Sequence, residues 1–505
     1  MSLEQSPLCS LPIRGPSTGR AILLTSYMTG ANDGKNLGVA GYSYDIVVKL
    51  FLPLLQRWGE VIPVANPRET LESAADEARR RNLEPVHVSF LPFQDVCLSQ
   101  SAPNVVVPAW EFPDVPDHEF NGNPQNNWPA MANRCSVVLV GGPFTLHALR
   151  KAGTKAPLRI VQIPTPEEYF SLPPWDPSKR VTLECSAFAF PAASEPLPEG
   201  AVIPMDADVA AEKPPPSGIK RIGKALEFAV RSMTKRLLGP TWYRRITHPL
   251  ESFWRAARSG WDESAPLPPS VSSVELSGVV YSSIFNPRDG RKNWQDLLTG
   301  FLYAIGGCED ATLVLKLITS DPQAVRQIVN YYLCRDIPHR CKVVFIGDYL
   351  SGEQMLQLAE ASTYYLQTTK AEGNCLPLMN YLAAGRPGVS PAHSAIADYF
   401  DGDVGFLVDW HPQPAAWPHD KRLRCRTTWA RLVWPSLVQQ IRRSYEIAKG
   451  NRAAYEALAG RGRARMHEWA SVEKIWPRLH AALELASAAD SPEASLQPLE
   501  RKRAA

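Results

Sequence analysis

The stretch TTKAEGNCLPLMNYLAAGRPGVSP, residues 368–391, sets a lone carboxylate, Glu372, ahead of Gly-Asn-Cys-Leu-Pro and a short apolar segment. The preceding TYYLQT has the composition of a buried strand, which makes 370–375 the loop at its carboxyl end. Pro377 suits the first turn of a helix, 378–384 continues it, and Gly385 followed by Pro387 ends it. A loop that feeds a helix N-terminus presents unpaired N–H groups and the positive end of the helix dipole, and both favour an anion. A diphosphate is the natural guest, with Glu372 placed to accept hydrogen bonds from sugar hydroxyls. The competing reading is a plain strand–loop–helix joint with an exposed glutamate.

A second string stands in a comparable place. SSIFNPRDGRKNW, residues 282–294, follows the strand VVYSS and leads into the helix WQDLLTGF. It gathers Arg288, Arg291 and Lys292 at the end of that strand. Guanidinium groups grip phosphate oxygens in pairs, and a lysine adds a point charge. Taken alone this is equally a solvated basic turn. Two complementary strings at carboxyl ends of strands favour a nucleoside-diphosphate site.

Short apolar strands alternate with helical segments in two stretches of the chain, the pattern of parallel, doubly wound sheets. In the first stretch the strands are AILLTSY, VHVSF, NVVVPAW, SVVLVGG and RIVQIP; in the second they are VVYSSIF, ATLVLKL, KVVFIGDYL and TYYLQT. Ligands of such sheets bind beyond the carboxyl ends of the strands, and two sheets facing each other make one cleft. The expected domains are 1–190 (first α/β domain), 191–270 (Pro-rich linker and basic insertion), 271–435 (second α/β domain), 436–485 (helices packing back across both) and 486–505 (solvated tail). Helix is expected from about residue 427.

At 505 residues the chain is long enough for two or three domains with sizeable cores. A net charge of +3 is too small to argue for nucleic acid. Nine scattered cysteines, with no CxxC pair, suit reduced thiols of a cytoplasmic protein. No apolar run reaches the roughly 18 residues of a membrane span, and the N-terminus does not resemble a signal peptide. The pairs Asp206/Asp208 and Asp401/Asp403 have DxD spacing but read as acidic loops, so no metal site is expected. The glycine-rich segment 27–44, which contains Gly38 and Gly41, does not match a dinucleotide fingerprint, and no cofactor is expected.

AEGNCLPLMNYLAAGRPGVSP resembles the donor-site motif of retaining GT-B glycosyltransferases, family 4 in particular: a Glu, a Gly-rich turn with Leu-Pro, and a second acidic residue on the helix. IFNPRDGRKNW resembles the phosphate-binding loop of the same family in its bacterial polysaccharide variant. WEFPDVP (110–116) and VVLVGGPFTLHALRKAG resemble first-domain segments. The resemblance covers about residues 20–190 and 275–485. It implies an α/β fold of two Rossmann-like domains facing across a cleft. It implies transfer of a hexose from a nucleoside-diphosphate sugar to a glycan or lipid-linked acceptor, without metal. By the resemblance, Glu372 contacts the transferring sugar, Arg291 and Lys292 hold the diphosphate, and the backbone of Gly373, Asn374, Cys375 and Leu376 cradles sugar and phosphate; Arg288 joins them as a donor-binding candidate from the basic cluster. The second acid, which would accept the ribose hydroxyls, is Asn380 here, and an amide replaces a charged acceptor with a neutral one. That departure leaves a rival of another class: a GT-B scaffold that binds nucleotide sugars in a polysaccharide assembly complex without catalysing transfer. Candidates for the acceptor side are Gly38 and Gly41, in a loop that reads equally as one without a ligand, Glu111, whose competing reading is a capping or solvated glutamate, and His393, which lies after the donor helix.

The insertion at 218–258 carries Ile219, Ile222, Leu226, Val230, Met233 and Leu237 at helical spacing, with Lys220, Arg221, Lys224, Arg231 and Lys235 on the other side. Trp242, Tyr243, Phe253 and Trp254 follow among arginines. This composition fits an interfacial helix on anionic lipid, peripheral to the inner face of the plasma membrane. It fits equally a helix packed on its own protein with a solvated basic face.

Overall fold

The structure is a computed structural model. It describes residues 19–27, 41–190, 270–335, 337–417, 420, 422 and 424–489. Gly38, Asp206, Asp208, the linker with its insertion, and residues 490–505 lie outside the described residues.

The first sheet is built from β1 (Arg20–Ser26), β2 (Glu60–Pro63), β3 (Glu84–Phe90), β4 (Asn104–Val106), β5 (Val137–Val140) and β6 (Leu158–Ile160). Their order is β2-β1-β3-β4-β5-β6, and every pairing is parallel. Helices α1 (Tyr42–Trp58), α2 (Pro67–Arg80), α3 (Trp128–Ala132) and α4 (Pro143–Lys151) lie between the strands, and α5 (Glu167–Phe170) follows β6. The strands are apolar on both faces because helices cover both faces, as in other parallel sheets.

The second sheet holds β7 (Val181–Phe190), β8 (Val271–Leu276), β9 (Val279–Phe285), β10 (Ala311–Leu317), β11 (Lys342–Ile346), β12 (Tyr364–Leu366), β13 (Gly388–Ser390) and β14 (Gly405–Leu407). Its order is β14-β13-β12-β9-β10-β11-β7-β8. The six strands from β14 to β11 are parallel, and β7 and β8 add an antiparallel edge. Helices α6 (Trp294–Ile305), α7 (Pro322–Arg335), α8 (Gly352–Ala361) and α9 (Leu376–Ala383) connect the parallel strands. The molecule is thus α/β with two doubly wound, Rossmann-like domains, as the resemblance implies. β7, the last strand of the stretch expected in the first domain, is hydrogen-bonded to β11 in the second sheet.

Strand order reverses in the second sheet where β9 lies between β10 and β12. A switch point of this kind opens a crevice at the carboxyl ends of the strands, where ligands of doubly wound sheets bind. Both charged strings emerge there, because β9 and β12 are direct neighbours through Tyr281↔Tyr364 and Ser282↔Tyr365.

The segment after β14 differs from the expected helix. β15 (Trp410–Ala416) and β16 (Arg426–Leu432) form an antiparallel hairpin, and helix begins only at α10 (Trp434–Gly450), followed by α11 (Arg452–Ala470) and α12 (Val472–Ser487). Two threonines and Trp429 favour extended backbone in β16. Pro412 and Pro414 sit in β15, a strand paired on one side only, where a missing N–H costs least. Beyond β15, Trp417 is buried against Trp110 and Phe120 of the first domain. On the opposite flank α12 returns to the first sheet, where Trp58 Nε1 donates to Glu484 at 2.9 Å. Arg386, fully buried, donates to the carbonyls of Ala359, Glu360, Ala384 and Pro173 and ties α8 and the end of α9 to the segment that follows α5.

Candidate donor site

The loop after β12 and the loop after β9 are stitched together by their backbones. Lys370 N donates to Arg291 O at 2.7 Å, Thr369 Oγ1 reaches the same carbonyl at 3.1 Å, and Thr368 Oγ1 reaches Asn293 O at 3.0 Å. Each loop enters its helix through a residue with left-handed backbone, Asn293 (φ 51) and Cys375 (φ 57). Non-glycine residues adopt that conformation only where their surroundings hold them in it.

This stitching brings Glu372, Arg291 and Lys292 into one cluster. Glu372 is 4% exposed. Its carboxylate pairs with Lys292 Nζ and, at 3.2 Å, with Arg291 Nη1. Burial pushes the Glu372 carboxyl up, but Lys292 and Arg291 outweigh burial and hold it down at about 2. Arg291 also meets Asp289 at 2.9 Å and the Ala371 carbonyl at 2.7 Å. Burial alone would lower its pKa, and the surrounding carboxylates of Glu372, Glu111 and Asp289 instead raise it, so it stays charged.

Beyond Glu372, the backbone N–H groups of Gly373, Asn374 and Cys375 have no acceptor among the described residues. Three such groups before a helix N-terminus, beside two cations, can donate to the oxygens of an anion. Leu376 opens α9, with Pro377 in its first turn. The Cys375 thiol is buried and pushed up to about 12, and Gln367 Nε2 lies 3.1 Å from its sulfur, so it is no nucleophile at neutral pH.

The first domain closes directly onto this loop. A Cβ on Gly373 would come within 3.1 Å of Trp110 O, and one on Gly141, at the end of β5, would meet the Asn374 amide. Glycine at both positions lets the loop and the first domain approach this closely. Trp110 is fixed by Phe112, Trp128 and Trp417, and its neighbour Glu111 reaches Arg291 at 3.6 Å.

Other expected residues are placed differently. Arg288 is half exposed and turns away to pair with Asp321, the residue before α7, so it does not join the cluster. His393 is buried, and burial pushes its pKa down to about 4. Its Nε2 lies 2.7 Å from Thr369 O, which can only accept, so Nε2 carries the proton. Nδ1 then accepts from the Ser394 hydroxyl at 3.0 Å, and Ser394 Oγ accepts the Glu372 N–H at 2.9 Å. His393 therefore braces the loop that carries Glu372. Asn380, one turn into α9, is hydrogen-bonded to the buried Tyr169 hydroxyl of α5. Gly41 caps α1 with φ 101, packed against Tyr27. Asp401 pairs with Arg465.

One contact had no sequence signal. Asp398, in the turn after His393, accepts the Phe144 N–H at the N-terminus of α4 at 3.1 Å and so joins the two domains. Burial pushes its carboxyl up to about 6, against the pull of Phe144 N–H and His147.

No protein-family model matches the sequence, and no curated protein matches it. Solved structures do. A TarM mutant from S. aureus, solved in complex with fondaparinux, alpha-GlcNAc-glycerol and UDP, is 9% identical over 80% of this chain and 55% of that chain, with a TM-score of 0.43. Sucrose-phosphate synthase from Thermosynechococcus elongatus is 14% identical over 84% and 79%, with a TM-score of 0.43. A glycosyltransferase from Rickettsia africae is 10% identical over 93% and 99%, with a TM-score of 0.48. This chain thus spans about half the length of the TarM chain that it is similar to.

Proposed function

We propose that the chain is a retaining GT-B glycosyltransferase of the family 4 type. It moves a hexose from a nucleoside-diphosphate sugar to a glycan or lipid-linked acceptor in surface polysaccharide biosynthesis. The observation that carries this reading is the convergence of Glu372, Arg291, Lys292 and the Gly373–Cys375 backbone at the switch point of the second sheet.

In this reading Arg291, Lys292 and the free N–H groups take the diphosphate, and Glu372 takes a hydroxyl of the sugar. The bond from the anomeric carbon to the β-phosphate oxygen breaks as the acceptor oxygen bonds to the same face of that carbon. The acceptor's proton passes to the departing β-phosphate oxygen. No protein nucleophile is needed, which suits a site whose thiol is protonated. The protein positions the partners and offsets the charge of the leaving diphosphate. The two cations supply the charge a metal would otherwise bring.

A thermal-shift screen of UDP-, GDP- and ADP-sugars tests the reading. At least one should raise the melting temperature, and the Lys292→Ala variant should lose that rise. A flat response to all three families would remove it. A second reading, a nucleotide-sugar-binding scaffold without catalysis, draws on Asn380, whose amide is engaged by Tyr169. Donor binding with no transfer to any acceptor in a lysate would favour that one.

No described helix is long and apolar enough to cross a membrane. Attachment to the cytoplasmic membrane surface through 218–258 is part of the proposal and rests on composition. Wild-type protein should sediment with phosphatidylglycerol vesicles, and less so at high salt. Protein left in the supernatant at every salt concentration would end the membrane proposal.

A further inference from the structure

Two cations and three carboxylates meet at Arg291: Lys292 and Arg291 against Glu372, Asp289 and Glu111. The charge sum of the cluster is 2 − 3 = −1. A diphosphate adds further negative charge, so it competes with these carboxylates for Arg291. Buried like charges at this separation repel strongly.

We propose that Glu111 is the group a donor's diphosphate displaces, a carboxylate from the first domain that holds the phosphate seat on Arg291. This rests on the donor reading given above. The geometry singles out Glu111 among the three. Asp289 belongs to the same turn as Arg291 and accepts its backbone N–H at 3.3 Å as well as its guanidinium at 2.9 Å, so it moves with the arginine. Glu372 is shared by both cations and nearly sealed from solvent. Glu111 makes the longest of the three Arg291 contacts, 3.6 Å, and its side chain keeps more exposure than that of Glu372, 16% against 5%. It is also the only one of the three carried by the other domain.

Its backbone is not free to drift. Trp110 is caged by aromatic rings, and the Trp110 carbonyl lies against Gly373. Release of Glu111 therefore means a rotation of its side chain or a separation of the Trp110 and Gly373 backbones. Either way, donor binding is coupled to the contact between the domains.

The test has an unusual sign. Glu111→Gln keeps the side-chain shape and removes the competing charge. By titration calorimetry it should bind the preferred diphosphate among UDP, GDP and ADP roughly tenfold tighter than wild type, about 1.4 kcal/mol. The matching nucleoside, uridine, guanosine or adenosine, should bind both proteins equally, an outcome a general loosening of the fold would not produce. In an Arg291→Ala background the gain should vanish. Glu111→Asp withdraws the carboxylate by one methylene and should shift affinity the same way by a smaller factor. Wild type that binds a diphosphate while both variants bind it equally or more weakly would overturn the displacement and leave the donor reading intact. Failure of wild type and both variants to bind any diphosphate would overturn both.

Discussion

Replacing Glu372 with Gln removes the carboxylate shared by Lys292 and Arg291, and the structure sets the size of the effect. The carboxyl is held at about 2 where its ordinary value is 4.5. It therefore contributes about 3 kcal/mol to folding at pH 7, an order-of-magnitude figure obtained from linkage. Because the pKa is depressed in the folded state, this contribution is complete above pH 4.5 and is lost as pH falls through 4.5 toward 2. At pH 3 about half of it should remain. Urea unfolding of wild type and Glu372→Gln at pH 7 and pH 3 reads both numbers. The variant should be weaker by about 3 kcal/mol at pH 7 and by about half of that at pH 3. Equal stability at pH 7, or a gap that does not narrow in acid, would refute the ion-pair reasoning. The same variant should lose transfer sharply without weaker binding of the bare nucleoside diphosphate, because both cations proposed to take the phosphates remain.

Arg291→Ala and Lys292→Ala should each weaken nucleoside diphosphate binding by about 1–3 kcal/mol, the cost of one charged partner, whereas Arg288→Ala, whose guanidinium is committed to Asp321, should stay near wild type in the same titration. Asp398 has its pKa raised to about 6, so the folded state holds that proton more tightly and this group costs stability as pH rises from 3.8 through 6. Asp398→Asn keeps an acceptor for Phe144 N–H and should melt higher than wild type above pH 6, with the difference gone below about pH 4; a lower melting temperature at pH 7 would show that the charge on α4 matters more than its burial.

The alternation of strands and helices was legible because each buried parallel strand is an apolar run bounded by turn residues. The meeting of the two charged loops was legible for a related reason: Glu372 and the Arg291–Lys292 pair lie at strand ends, and adjacency of β9 and β12 follows from the doubly wound order. What could not be read depends on partners distant in sequence. Arg288, Arg291 and Lys292 look equivalent within one short string, and only the position of Asp321 in the neighbouring loop takes Arg288 away. His393 followed the donor helix closely enough to suggest a cleft residue, yet Thr369 O and the Ser394 hydroxyl occupy both its ring nitrogens. The β15–β16 hairpin was hidden because Pro412 and Pro414 are unusual in strands and the following helix has similar composition. Asp398 and the Glu111 contact arise only when two sheets face each other, and no local pattern encodes that.

The central claim is that this site transfers a sugar from a nucleoside diphosphate, and release of free diphosphate from nucleotide sugars tests it most directly. Wild type, incubated with a panel of UDP-, GDP- and ADP-sugars and a membrane-and-glycan extract as acceptor, should liberate diphosphate from at least one donor. Glu372→Gln and Lys292→Ala should not, and the new glycosidic bond should keep the donor's anomeric configuration. No release from any donor, or equal release by wild type and both variants, would contradict the account.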